Sequence, residues 1–145
     1  MTKEKFLYVT YIRSTKEKVW DALINPQVTQ FYWRHHNVSD WKQGSVWNHQ
    51  RCDGSNMIDI TGKVIETSPP HRLIISWADP KDTSRLSRVT FDIEPVGDDV
   101  KLTVTHDELE PGSNMLRGIS RGWPMVLSSL KTLLETGKAI DVSKL

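Results

Sequence analysis

The residues of this sequence best suited to chemistry are five histidines and a single cysteine. Neutral imidazole is a common ligand for zinc and copper, and His35-His36 precedes Asp40 by a few residues. Adjacent side chains point to opposite faces of a strand, however, and stand about 100° apart on a helix. We therefore predict no metal site and no cofactor, and we expect the histidines to hydrogen-bond a ligand or the core.

His106 and His49 are the candidates for acid–base chemistry. Asp107 and Glu108 follow His106 directly, but on a strand Asp107 points away from it, which weakens the dyad. The sequence has no phosphate-binding glycine loop, and Gly118-Ile119-Ser120-Arg121-Gly122, which has the G-x-S-x-G spacing, does not directly follow a predicted strand as a nucleophile elbow must. Cys52 lies near a predicted turn with no identifiable activating base. We therefore expect binding rather than catalysis.

Composition limits the class of protein further. With 145 residues, 37% apolar and 26% charged residues and a net charge of +1, the chain is predicted to form one soluble domain over residues 1–145. It has no dense basic cluster for nucleic acid and no apolar run of about 20 residues for a membrane. One cysteine cannot form an internal disulfide, so we expect a reducing, cytoplasmic location.

The first third of the chain predicts a strand followed by two short helices. Residues 6–13 alternate as a strand, and Ser14 to Glu17 has the spacing of a capping box. A helix is therefore expected from Thr15 or Lys16 to just before Pro26, because the residue preceding a proline disfavours helix. Residues 27–33 form a second short helix.

Antiparallel strands follow in the middle of the chain. Residues 38–52 predict a second strand, with a hairpin turn at Asp53-Gly54. Residues 59–77 alternate as two strands joined by a corner at Pro69-Pro70, which cannot continue a central ladder. Residues 86–95 and 100–106 predict a further hairpin around Gly97-Asp98, and their alternation places Val89, Phe91 and Val104 on the inner face.

The last predicted element is a long amphipathic helix. It is expected to begin near residues 121–124, where a proline is harmless in the first turn, and to end by Gly137. Its apolar residues recur at helical spacing and need a sheet to lie against. A long helix laid across a curved sheet tends to enclose a space.

These elements resemble the helix-grip, START-like (SRPBCC) superfamily, and within it the family named after the C-terminal domain of the activator of the Hsp90 ATPase. The resemblance covers nearly the whole chain. It implies an α+β fold, with a curved antiparallel sheet of about six strands around the C-terminal helix and an elongated apolar cavity between them. The matching segments are residues 19–23, 62–66, 69–70, 73–77, 89–105, 122–123 and the leucines 127, 130 and 134.

The alternation of the strands and the implied cavity together indicate which residues form its wall. Large apolar side chains bearing a few polar groups are typical of a small-molecule site, although tryptophans also close-pack cores. The expected ligand-binding residues are Phe31, Trp33, Trp47, His49, Met57, Trp77, His106, Trp123 and Leu127.

Three functions remain open at this point. The first, which we favour, is non-catalytic binding of a small hydrophobic or aromatic molecule, lipid- or polyketide-like, in that cavity. The second is a cyclase- or hydratase-type enzyme that uses the same cavity. The third is a co-chaperone or stress-response interaction module, which the polar residues predicted along the outer sheet face disfavour. Whichever function holds, we expect a monomer or a homodimer.

Overall fold

The computed structural model describes residues 2–144, and the side chain of Lys144 is outside this description. Its helices are α1 Lys16–Ile24, α2 Pro26–Trp33, α3 Asn114–Thr136 and a short 3₁₀ turn at Val142–Lys144. Its strands are β1 Glu4–Ile12, β2 His35–Val38, β3 Val46–Arg51, β4 Ile58–Ser68, β5 Arg72–Trp77, β6 Ser87–Val96 and β7 Asp99–Leu109. None of these helices combines the length and apolarity needed to cross a membrane.

Within the described residues the strands form one antiparallel sheet in the order β1-β7-β6-β5-β4-β3-β2. The predicted helix-grip fold is confirmed, with seven strands rather than about six. The extra strand is β2, His35–Val38, which lies almost wholly before the predicted second strand, residues 38–52, and is separated from β3 by a turn. Gly44 and Trp41 both have positive φ in that turn, which breaks the extended backbone.

The core lies between α3 and the concave face of the sheet. The alternating residues predicted to face inward on β6 and β7 are buried, including Val89, Phe91 and Val104. They meet the apolar stripe of α3, where Leu127 and Leu130 are almost fully buried. The helix therefore holds the sheet in its curved form through continuous apolar contact.

Helix α3 begins seven residues before the predicted entry at Arg121. Ser113 caps it by accepting a hydrogen bond from the Leu116 N–H at 3.1 Å, so Pro124 lies inside the helix. The prediction was wrong because the proline was assigned to the first turn, whereas α3 accommodates it mid-helix without a backbone N–H. The predicted end at Gly137 is confirmed.

Helix α1 begins at Lys16 as predicted, but its cap differs from the prediction. Thr15, not Ser14, is the N-cap, and its hydroxyl accepts from the Lys18 N–H at 3.2 Å. Among the described residues, the buried Ser14 hydroxyl has no hydrogen-bond partner. The predicted capping box from Ser14 to Glu17 was therefore displaced by one residue.

A glycine in β4 sets how closely strands β3, β4 and β5 approach. The indole Nε1 of the buried Trp47 donates to the carbonyl of Ser76 at 2.8 Å, directly beside Gly62. A Cβ at Gly62 would lie 2.0 Å from that carbonyl oxygen and 2.7 Å from Trp47 Nε1. Only a residue without a side chain fits this crossing.

We predict that Gly62→Ala destabilises the protein by about 3 kcal/mol, because the methyl group displaces both partners of the Trp47–Ser76 hydrogen bond. The free energy of unfolding in urea measures this. Gly118→Ala is the matched control, since a Cβ there meets nothing within 4 Å on α3. Equal stability of the two variants would contradict the prediction.

Candidate binding site

Three tryptophans from three different elements meet at one end of the core. Trp33 ends α2, Trp77 ends β5, and Trp123 lies in the middle of α3. Their ring centroids are 6.3 Å apart for Trp33–Trp77, 5.3 Å for Trp33–Trp123 and 5.5 Å for Trp77–Trp123. Rings at these separations pack directly against one another, so they form a continuous wall.

This wall borders an open cavity of about 430 Å³ between α3, β4 and β5. A volume of this size is within the range of small-molecule sites. Its lining is almost entirely apolar or small. It consists of Trp33, Ile60, Trp77, Asp79, Asn114, Met115, Gly118, Ile119, Gly122, Trp123 and Val126.

Two glycines one turn apart keep the helix side of this cavity open. A Cβ added at Gly118 or at Gly122 would meet nothing within 4 Å. A glycine inside a helix costs roughly 0.5–1 kcal/mol relative to alanine, and packing at these two positions offers no compensation. We call these two positions the open strip. Their lack of side chains enlarges the cavity, and the helix itself does not require it.

A second groove of about 600 Å³ lies beside the amino end of α3, and its character is different. It is lined mostly by charged and polar side chains, several of which bond one another. Lys3 pairs with Glu110, and Arg85 pairs with Asp82 at 3.3 Å. We regard it as hydrated surface, because its charged side chains already bond one another at the solvent boundary.

His106 lies immediately behind the tryptophan wall, fully buried, and both of its ring nitrogens are bonded. The Trp123 indole N–H donates to His106 Nδ1 at 3.1 Å. Because an indole nitrogen can only donate, Nδ1 carries the lone pair and the proton lies on Nε2. His106 Nε2–H then donates to Ser87 Oγ at 2.8 Å, and Ser87 donates to the Trp77 carbonyl at 3.0 Å.

This polarity gives His106 a structural role. Although Ser87 and His106 are as close as a nucleophile and its base, the imidazole donates to the hydroxyl and cannot remove its proton. Asp107 is bonded to Arg88 at 2.6 and 3.0 Å, and Glu108 is exposed. Neither carboxylate partners His106, so the structure does not assemble the predicted dyad.

Burial lowers the pKa of His106 to about 3, with Asp107 acting weakly in the opposite direction. A folded-state pKa below the unfolded value of about 6.5 means that the unfolded chain binds more protons between these values. The stability that neutral His106 contributes is therefore complete above about pH 6.5 and is lost as the pH falls toward 3.

We predict that the free energy of unfolding falls as the pH is lowered from about 6.5 to 4.5, and that His106→Gln reduces this slope. Urea unfolding at a series of pH values measures it. His71→Gln, an exposed histidine at the β4–β5 corner, is the control and should leave the slope unchanged. A wild-type slope that His106→Gln does not alter would contradict the account.

His49 belongs to a separate polar cluster next to Trp33. Its Nδ1 donates to Asn37 Oδ1 at 2.6 Å, and its ring stacks on His35 with centroids 3.8 Å apart. Burial, then the neighbouring His35, lowers its pKa well below the usual value. A neutral, bonded and stacked imidazole supports the wall from behind.

His35 joins this cluster to the end of α2. Its Nδ1 lies 3.0 Å from the Trp33 carbonyl oxygen, and its Nε2 lies 2.8 Å from Asp59 Oδ2. Arg51 contacts both oxygens of Asp59 at 2.8 and 2.9 Å, and this bonding lowers the pKa of Asp59 to about 2. The chain of contacts fixes the segment that carries the Trp33 ring. In residues 2–144 no three potential metal ligands lie close enough to hold an ion.

The nine residues predicted for the site are placed unequally. Trp33, Trp77 and Trp123 line the cavity, while Trp47, His49, His106 and Leu127 are buried in or behind the wall. Phe31 and Met57 lie elsewhere, 64% and 52% exposed. Phe31 is on the outer face of α2, and Met57 is in the β3–β4 turn, before the alternation of β4 begins.

Sequence reasoning missed most of the helix side of the cavity, including Gly118, Ile119 and Gly122. Their signal was present, because Gly118-Ile119 and Gly122-Trp123 repeat a small and a large residue at helical spacing. A helix beginning at Arg121, as predicted, leaves Gly118 and Ile119 outside it, so the repeat does not lie on one predicted helix. Ile60, Met115 and Val126 were missed as well.

This architecture, a curved antiparallel sheet gripping a long helix, is the START-like helix-grip fold. A sequence model of the family described as activator of Hsp90 ATPase homolog 1-like protein matches residues 13–135. The chain belongs to this family. No curated protein matches the chain at a significant level.

Solved structures with the same fold come from varied organisms. CalU16 from Micromonospora echinospora has a TM-score of 0.76 and 20% identity, covering 98% of this chain and 81% of that one. The Aha1 dimer from Colwellia psychrerythraea has a TM-score of 0.75 and 21% identity, with coverages of 94% and 99%. PFC0360w, an Hsp90 activator from Plasmodium falciparum, has a TM-score of 0.74 and 19% identity, with coverages of 90% and 95%. At these identities they show the fold alone.

Proposed function

We propose that this protein binds a small hydrophobic or aromatic molecule, without chemical turnover, in the cavity between α3 and the sheet. The observation that carries the proposal is the open strip at Gly118 and Gly122 beside a wall of three tryptophans. Two helix-weakening glycines facing open space serve no packing purpose. They do provide room for a ligand beside large aromatic surfaces.

The physical driving force would be burial of apolar ligand surface, at about 25 cal/mol per Å² before the cost of immobilisation.

A location in the cytoplasm fits this proposal. Cys52 is a free, exposed thiol, and thiols of this kind persist in reducing compartments. Burial raises its pKa, which favours the unreactive thiol over the thiolate.

We predict that Gly118→Ala combined with Gly122→Ala raises stability by about 1–2 kcal/mol, because each alanine favours the helix, yet weakens ligand binding about tenfold by filling the cavity. The probe is 9-anthracenemethanol, a neutral three-ring compound, with energy transfer from tryptophan to anthracene as readout. Urea unfolding measures the stability.

Arg121→Ala is the control for this pair, since it is on the exposed side of the same helix turn. It should leave probe affinity unchanged. A stabilised double variant that binds 9-anthracenemethanol as tightly as the natural sequence would show that the probe does not occupy this cavity.

An interaction with a chaperone is the second candidate function, and one structural feature favours it. The predicted polar outer face is interrupted on edge strand β1, where Leu7 and Tyr11 are 55% and 54% exposed and Val9 lies between them. Apolar residues in a row along an unpaired sheet edge are a feature of protein contact sites. The Hsp90 activator among the similar structures agrees with this possibility.

If β1 is a contact surface, replacing Leu7 and Tyr11 by serine should abolish stimulation of the host's Hsp90-type ATPase while changing stability by less than about 1 kcal/mol, since both side chains are exposed. Ile65→Ser, at an exposed apolar position on β4, is the control. A chaperone ATPase rate that the natural protein leaves unchanged would remove this candidate. Sedimentation of the same variants would report a homodimer through β1.

A further inference from the structure

The charge at the mouth of the cavity limits which aromatic compounds it accepts. Of the residues that line the cavity, Asp79 alone carries an ionisable group, and no arginine, lysine or histidine is among them. We infer that the ligand of this site is an aromatic compound bearing a cationic nitrogen, and that anionic compounds such as fatty acids are disfavoured. This inference rests on the function proposed above.

Asp79 is held in place by the backbone around it. The preceding residue, Ala78, exchanges two backbone hydrogen bonds with Thr61, at 2.9 and 3.0 Å. Asp79 Oδ1 accepts from the Lys81 N–H at 2.9 Å, which fixes the carboxylate in an Asx-type turn. Only Ala78 separates Asp79 from Trp77 in the sequence, so one charge lies at the end of the aromatic wall.

The negative charge of Asp79 is not neutralised by an ion pair. Among the described residues, Asp79 forms no salt bridge and its Oδ2 accepts no hydrogen bond. Asp79 also borders the neighbouring polar groove, whose cations bond other groups: Lys3 pairs with Glu110, Arg85 pairs with Asp82, and Arg117 donates to the Gly112 carbonyl at 2.7 Å and to Asn114 Oδ1. A cationic ligand would therefore meet a carboxylate that has no cationic partner of its own.

The aromatic wall accommodates the body of the ligand rather than its charge. With centroids 5.3 to 6.3 Å apart, the three rings leave no gap between them for an ammonium group. The cation is thus placed at the Asp79 end, with the aromatic body of the ligand against the wall.

The test compares three anthracene probes that share one ring system and differ in charge. They are 9-(aminomethyl)anthracene, a cation at neutral pH, the neutral 9-anthracenemethanol and the anion 9-anthracenecarboxylate. Because Asp79 is exposed, we expect the cation to bind about two- to fivefold more tightly than the alcohol, and the carboxylate to bind more weakly than the alcohol. An ionic strength near 1 M should reduce the differences in affinity between the three probes.

Asp79→Asn tests the assignment, since asparagine keeps the acceptor for the Lys81 N–H and removes the charge. It should make the cation and the alcohol bind alike. Asp98→Asn makes the same change of net charge at the distant β6–β7 turn and should leave the order of the probes intact.

The outcomes separate this inference from the proposed function. A carboxylate probe that binds as tightly as the cation, or an order that Asp79→Asn leaves unchanged, overturns the inference while the alcohol still reports a binding cavity. Failure of all three probes to bind overturns the proposed function and the inference with it. If the cation binds most tightly and the carboxylate most weakly, and if Asp79→Asn abolishes this order while Asp98→Asn does not, the result supports the proposed function and the inference.

Discussion

The packing of Trp123 between α3 and the sheet is the constraint on which the rest of the structure depends. Its ring contacts Trp33, Trp77 and Phe91, which belong to three other elements. Its N–H donates to His106, and that single bond fixes a chain of donors through Ser87 to the backbone of β5. The helix is thereby held at a set distance from the sheet at the point where the cavity opens.

That arrangement explains why Ser87 and His106, which lie as close as a catalytic serine and histidine, do not act as a nucleophile and its base. A histidine beside a serine suggests catalysis. The ring nitrogen that accepts a hydrogen bond must be unprotonated, however, and this places the proton on the other nitrogen. Here the indole N–H takes the acceptor position, and burial keeps the imidazole neutral. The polar groups behind the wall are used to orient large rings, which is what a binding site requires.

The fold could be predicted from sequence because alternation and helical spacing are strong signals when they are repeated. Val89, Phe91 and Val104 were assigned to the inner face by period alone, and the structure buries them. The start of α3 could not be predicted this way. Proline is common in the first turn of helices, so Pro124 suggested a start nearby. In the structure, tertiary packing outweighs this preference, and α3 contains Pro124 in its interior.

The site was only partly accessible to sequence reasoning for a related reason. Tryptophans stand out by type, so Trp33, Trp77 and Trp123 were identified before their contacts were known. An absence of side chain is harder to interpret. Gly62 enables a close strand crossing, whereas Gly118 and Gly122 leave open space, and only the three-dimensional neighbours distinguish these opposite roles. The same limit applies to Asp79, whose importance depends on the lack of a partner.

The most direct test of the central claim is the ¹⁵N–¹H spectrum of the six indole N–H groups during titration with 9-anthracenemethanol. If the cavity between α3 and the sheet is the binding site, the resonances of Trp33, Trp77 and Trp123 shift together and saturate at one probe per chain. The indole of Trp20, which belongs to α1, stays in place. Shifts confined to Trp20, or no saturable shift at the three wall tryptophans, would contradict the account.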